Sequence, residues 1–242
     1  AHCNFGLRGQ ESDEDEILVQ ERARKYGIEC HNRRFDTVGE MERTGESMEM
    51  AARRLRYAWF KELCEEHGYT AICIAHHGND SVETFFINLL RGTGLRGLTG
   101  ISTQVGHIVR PIMFATRKII HDYAIAHHIP FREDSSNRST KYLRNKIRLG
   151  LIPRLKEINP RFAFMMNQNV ARLTATQQFI DSAIDNIFER AARIDGDVCT
   201  IEVDKIVDVR TRSFVIYEIL SSRFGFKGDV VDTLCKALDN DS

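Results

Sequence analysis

Polar and apolar positions along this chain follow two periods, and the switches between them outline the elements. Four acids, Asp13 to Glu16, precede Ile17, Leu18, Ala23 and Tyr26 at helical spacing, and Gly27 stands where that helix should end. Ser12 is placed to cap it, with the acids against the positive end of its dipole. Residues 28–35 read as a strand and 36–46, with Gly39 and Gly45, as a loop. A second helix is expected over 47–67, with Met48, Ala51, Ala52, Leu55, Ala58, Trp59 and Leu63 as its apolar stripe and Gly68 closing it. Residues 70–75 form a short, continuously apolar run, the pattern of a strand buried on both faces. A third helix follows over 81–90, then a strand over 108–113 and a helix over 117–128. Beyond Pro153 the pattern turns helical (158–193, 211–224), with one strand candidate at 199–203.

Helix and strand alternating with short connections predict an α/β fold, a parallel sheet with helices on both faces. The change of pattern near 150–153 predicts two domains, 1–152 and a smaller, mainly helical 153–242. A chain of 242 residues is long enough for two. Its 42% hydrophobic content excludes a disordered polymer. No apolar run approaches the ~18 residues of a membrane span. No signal peptide pattern opens the chain, and the six cysteines are scattered without CxxC spacing. Zinc ribbons and redox dithiols are thereby disfavoured, and a cytoplasmic location is expected. Net charge is zero, yet residues 131–161 hold nine Lys or Arg against three acids. Such a cluster can hold phosphates or line a solvated helix face.

In an open parallel sheet, ligands bind beyond the carboxyl ends of the strands. Asp80 and Glu83 fall there, three apart at a helix start, so that both carboxylates share a face. Such a pair can hold Mg²⁺ or orient a nucleophile, or simply cap the helix. Adjacent His76 and His77 point to opposite sides of an extended chain and read as polar lining rather than a chelate. Arg53 and Arg56 share a helix face and form either a phosphate clamp or a surface ladder with Glu49. Arg91-Gly92-Thr93-Gly94 can present an Arg and bare amides to an anion. Arg144 and Arg148, with Tyr142, Asn145 and Lys141 beside them, can contact a nucleic-acid backbone.

In this order the segments resemble the tRNA(Ile)-lysidine synthase family. The resemblance is carried by residues 1–8, Glu49-x-x-Ala52-Arg53-x-x-Arg56-Tyr57, Ala75-His76-His77-Gly78-Asn79-Asp80-Ser81-Val82-Glu83-Thr84, Arg91-Gly92-Thr93-Gly94-Leu95-Arg96-Gly97-Leu98, Arg110-Pro111-Ile112, Glu133-Asp134-Ser135-Ser136-Asn137 and Tyr142-Leu143-Arg144-Asn145-x-x-Arg148. It runs collinearly from residue 1 to about 155. It implies an ATP pyrophosphatase domain of the PP-loop (adenine nucleotide α hydrolase-like) type, followed by a helical tRNA-binding region. It implies ATP with Mg²⁺, free L-lysine and a CAU-anticodon tRNA(Ile) as reactants, and a homodimer as a candidate assembly. The activity it implies is ligation of lysine to C2 of the wobble cytidine through an adenylated tRNA. By position, Asp80, Glu83 and Arg91 become catalytic, with Asp80 also the candidate Mg²⁺ ligand. His2, Asn4, Arg53 and Arg56 become ATP-binding, and Arg144, Asn145 and Arg148 tRNA-binding.

The sequence departs from the family in four places. The Ser-Gly-Gly-x-Asp-Ser phosphate loop does not occur. It belongs on a strand before Ala1, so an upstream extension is expected and this segment alone is expected to be inactive. Asn79 stands where the family usually has Asp, Phe5 replaces a frequent His, and Ser81 a frequent Gln. Two alternatives remain at this point. One is a sulfur-inserting tRNA enzyme of the same superfamily, disfavoured by the missing cysteine pairs. The other is a non-catalytic RNA-binding protein with a degenerate nucleotide fold.

Overall fold

The acid-rich segment does form a helix, α1 (Gln10–Tyr26), but Ser12 does not cap it. The helix begins after Gly9 with no side-chain cap, and Ser12 lies buried in its first turn, its Oγ accepting from Arg8 N at 3.2 Å. Gly27 ends the helix in the left-handed conformation at φ 64°, as its missing Cβ allows. The computed structural model describes residues 1–135, 142–206 and 209–240, without the side chains of 209, 210, 239 and 240. Ser136, Asn137, Arg138 and Lys141 lie outside the described residues.

Before α1 runs β1 (His2–Asn4), paired in parallel with β2 (Asn32–Arg34). The segment read as a loop holds a further helix, α2 (Thr37–Thr44). Asp36 caps it, accepting from Gly39 N at 2.9 Å, and Gly45 closes it at φ 70°. Two glycines in so short a stretch hid a helix that its caps define. Next comes α3 (Met48–His67), capped by Ser47, with Ala51, Trp59 and Leu63 its buried residues.

The strand expected over 70–75 is β3 (Ile72–Cys73), and α4 (Gly78–Arg91) follows it. Its double burial is not seen: Ile72 and Ile74 are half-buried, whereas Ala71, Cys73 and Ala75 are exposed. That is the period of two of a strand covered on one face. β3 pairs in parallel with β5 (Ile108–Val109), and β4 (Gln104–Val105) adds an antiparallel edge strand. The parallel pairings expected of an α/β chain are present, in two short sheets among the described residues.

After α5 (Arg117–Ala126) the chain enters a helical run that changes pitch twice. It comprises α6 (Leu143–Lys146), a wide π-type turn over Ile147–Leu151, and α7 (Ile152–Ile158). Ile152 N bonds to Ile147 O, five residues back. Pro153 has no N–H to close an α-helical bond onto residue 149, which favours the loosened turn. Val82 of α4 packs against Ile147 and Ile152, with Phe86, Ile87, Leu151, Phe162 and Met166 around them.

Contacts divide the chain into two compact units: Ala1–Arg91 with Gly100–Asn167, and Gly92–Thr99 with Gln168–Ser242. The division falls inside the long helix α8 (Phe162–Ala191). The second unit contains a hairpin of β6 (Ala192–Asp195) and β7 (Val198–Ile201), where one strand was expected. Helices α9 (Val209–Phe224) and α10 (Gly228–Asn240) complete it. Its core joins Ile184, Phe188 and Ala191 of α8 to Ile206, Val215, Ile216, Ile219, Val231 and Cys235. No helix among the described residues is long and apolar enough to cross a membrane.

Candidate functional site

The site begins at the carboxyl end of β3, where the strand gives way to α4. His77 is the N-cap residue, its carbonyl accepting from Asp80 N at 2.9 Å. Asp80 reaches back in turn, its Oδ2 accepting from His77 N at 3.0 Å, one half of a capping box. The helix can start here because residue 78 is Gly. A Cβ on it would stand 2.9 Å from Asn167 Nδ2 and 3.2 Å from the Ala115 carbonyl. Gly78 N donates to that carbonyl at 2.9 Å. Asn79, the uncharged residue at a usual Asp position, accepts from Arg117 N at 2.9 Å through its Oδ1. It thereby satisfies an orphan amide at the start of α5, and needs no charge to do so.

One turn further, Glu83 is 2% exposed. An ionised carboxylate at that depth needs a partner, and Arg148 supplies it. Its Nε donates to Glu83 Oε1 at 2.6 Å and its Nη2 to Oε2 at 2.8 Å, a two-point fork. The same Nη2 lies 3.5 Å from Asp80 Oδ1. Glu83 holds the Arg148 guanidinium above its usual pKa, against the opposing effect of burial. Arg144 Nε lies 3.7 Å from Glu83 Oε2, and Arg144 Nη2 donates to Thr84 Oγ1 at 3.2 Å. Asn145 between them is buried. The packing of Val82 on Ile147 brings these groups together, and Arg148 itself sits in the π-type turn.

Sequence reasoning missed Arg110 as a member of this group. It is buried at the end of β5, donating from Nε to His76 Nδ1 at 3.1 Å and from Nη1 to the Ser102 carbonyl at 2.7 Å. Arg can only donate, so His76 Nδ1 is the acceptor and the ring proton of the neutral imidazole sits on Nε2. Burial lowers the His76 pKa. Asp80 opposes that shift, and the charges of Arg110, Arg144 and Arg53 add to it. The parallel pairing of β3 with β5, Cys73 opposite Val109, brings the segments that follow the two strands together, and the pairing partner of β3 could not be read from the sequence. His77 Nδ1 is buried and lies 3.3 Å from Asp80 Oδ2, outside hydrogen-bond geometry.

The structure thus gathers Asp80, Glu83, Arg144, Asn145 and Arg148, with Arg53 close enough for His76 to feel its charge. Arg56 lies over the Phe5 ring at 5.3 Å and beside the Cys3 thiol. Asn4 is 1% exposed and fully engaged. Its amide donates to Asp13 at 3.0 Å and Glu16 at 2.8 Å and accepts from Gly6 N at 2.9 Å, tying β1 to α1. His2 lies on β1, half-buried, its pKa lowered by that burial. Arg91 is not brought to the acids: it is exposed, eleven residues beyond Asp80 on α4. At the helical rise that is roughly 16 Å away. The basic excess of 131–161 is also partly neutralised internally, with Arg132 on Glu14 and Asp15, and Arg148 on Glu83.

Comparison with known proteins places this geometry. Residues 1–155 match a family model described as a PP-loop domain. The tRNA(Ile)-lysidine synthase of Bacteroides thetaiotaomicron is 38% identical over 238 residues, 98% of this chain and 55% of its own. That of Porphyromonas gingivalis is 37% identical over 241 residues, 99% of this chain and 52% of its own. That of Chlorobaculum tepidum is 40% identical over 199 residues, 81% and 59% of the two chains. The chain spans about half the length of the curated relatives it matches. A family model covering residues 1–155, over a helix start that carries a buried acid pair held by arginine, means that this chain belongs to the PP-loop domain family.

Proposed function

We propose that the protein to which this chain belongs ligates L-lysine to C2 of the wobble cytidine of a CAU-anticodon tRNA(Ile). The O2 of the cytidine attacks the α-phosphorus of ATP and pyrophosphate leaves. The lysine amine then attacks C2, loses a proton, and AMP leaves with the oxygen. The observation that carries this reading is the buried Glu83 forked by Arg148 beside Asp80, at the head of the helix after β3. The name shared by the relatives supports the substrate. A protein that only binds RNA has no use for a desolvated acid pair in that place.

Within this reading the two acids divide the work. Both Glu83 oxygens are taken up by Arg148, so Glu83 is a positioning residue. Asp80 keeps an oxygen 3.5 Å from that guanidinium and faces the reactants, with the buried His77 Nδ1 beside it. Asp80 is then the one carboxylate free to meet Mg²⁺, a donor set that fits because this ion takes one or two carboxylates and draws its other ligands from phosphate and water. The cation would neutralise phosphate charge. Arg53 and Arg144, whose charges both reach His76, receive phosphates of ATP or tRNA. Arg56, His2 and Arg91 are assigned more peripheral contacts with the same ligands.

Residues 153–242 serve as the tRNA-binding part, in a cytoplasmic enzyme that a second copy can pair with. Sulfur insertion is disfavoured by the scattered cysteines, which offer no CxxC pair. The test is to incubate the full-length protein with ATP, labelled lysine and tRNA(Ile). Labelled tRNA supports the reading. Unlabelled tRNA that still binds the protein overturns it in favour of the RNA-binding alternative.

A further inference from the structure

Just before β2, two histidines and a glutamate converge. Glu29 and His31 lie in the segment leading into the strand, and His67 is the last residue of α3. One ligand atom from each lies within 4.8 Å of the other two. His31 Nε2 is 3.8 Å from Glu29 Oε2. The His31 and His67 rings are 4.5 Å apart, and Tyr69 stacks on His67 at 5.4 Å. His31 is pinned at both ends. Its carbonyl accepts from His2 N at 2.8 Å, and its Nε2 is hydrogen-bonded to Tyr69 Oη at 2.8 Å.

We propose that Glu29, His31 and His67 bind a divalent transition metal of the zinc class, with water in the fourth position. Two imidazoles and a carboxylate are a borderline donor set, suited to zinc and unsuited to Mg²⁺. Tetrahedral zinc, with bonds of about 2.0–2.1 Å, sets its ligand atoms about 3.3 Å apart. Closing from 4.8 Å to that spacing needs only side-chain rotation at a surface where Glu29 and His67 are exposed. The ion replaces the Tyr69 hydroxyl on His31 Nε2. It also braces the entry of β2 against the end of α3, two segments that sequence separates. No cysteine belongs to the set, and the site is independent of the acids at Asp80 and Glu83.

The test is Co²⁺ titration of the metal-stripped chain, followed by its visible d–d bands, with Zn²⁺ as competitor. One ion per chain is expected, bound through nitrogen and oxygen only. His31→Asn and His67→Asn should each weaken it more than roughly 100-fold, beyond the range of outer-sphere partners. Unchanged binding in His67→Asn, a sulfur-to-cobalt charge-transfer band, or no binding at all would overturn the site. Should a substitution unsettle the fold, Zn²⁺ titration of the unaltered chain with imidazole ¹H–¹⁵N spectra decides. Shifts at His31 and His67 support the site, and shifts confined to other histidines sink it.

Discussion

The interiors of the two units are built from different materials. In the first, Asn4, Ser12, Thr37, Asp80, Ser81, Glu83, Arg110 and Asn145 are buried beside Ala51, Trp59, Leu63, Val82, Ala115, Ile147 and Ile152, and of these apolar residues three cluster beneath the site. In the second, nine buried apolar residues from α8, α9, α10 and the segment between them form one cluster, with Gln177 and Glu218 the buried polar residues among those described. A polar interior holds its shape by matched partners, whereas an apolar one holds by volume. The first is what a reacting site requires, and it is fragile in a particular way: removing one member strands another.

The sharpest way to break that contrast is to strand a charge. Glu83→Ala leaves the Arg148 guanidinium half-buried without its fork and should cost about 3–5 kcal/mol in a denaturant titration. Arg148→Met alone should cost a similar amount, and Glu83→Leu with Arg148→Met distinctly less than the sum. Additive losses would mean that the fork is not the unit holding this region. In the second unit, Ile219 is fully buried, and Ile219→Ala should cost about 2–5 kcal/mol by cavity formation, with no pairing partner able to rescue it. Gly78→Val tests the join between α4 and its neighbours. Its branches would meet Asn167 and the Ala115 carbonyl, for a loss of about 1–3 kcal/mol.

The smallest effect is a pH dependence. His76 has its pKa lowered from 6.5 in the folded chain, so as pH falls through 6.5 the unfolded chain takes up the proton first. Above that pH the group leaves stability unchanged, and below it stability declines until the folded ring also titrates. His76→Gln should flatten this part of the pH–stability curve. An unchanged slope would show that His76 does not carry it.

Much of the site was legible because helical spacing is local. Asp80 with Glu83, and Arg144 with Arg148, share faces by their intervals alone, and Gly27 and Gly68 mark helix ends. Which charge answers which was not legible. Glu83 finds Arg148 through the packing of Val82 on Ile147, and nothing in either segment's pattern announces it. Arg91 shows the limit of motif order: adjacency there does not shorten a helix, and eleven residues of α4 separate it from Asp80. Asn4, assigned to ATP by the resemblance, also ties β1 to α1 through its amide, a contact that helical spacing could not announce. Helix α2 was missed because Gly39 and Gly45 suggested a loop, when Gly45 was its stop.

The most direct measurement is lysine incorporation by full-length Asp80→Asn set beside the unaltered enzyme, with the melting temperature of each. Asparagine keeps the shape and can still accept from His77 N, so the fold should melt within a few degrees of the original. Removal of the charge proposed to face the reactants should lower kcat/KM by about 100-fold or more. Incorporation within a few-fold of the unaltered enzyme, at equal stability, would contradict the placement of the reaction at the head of α4.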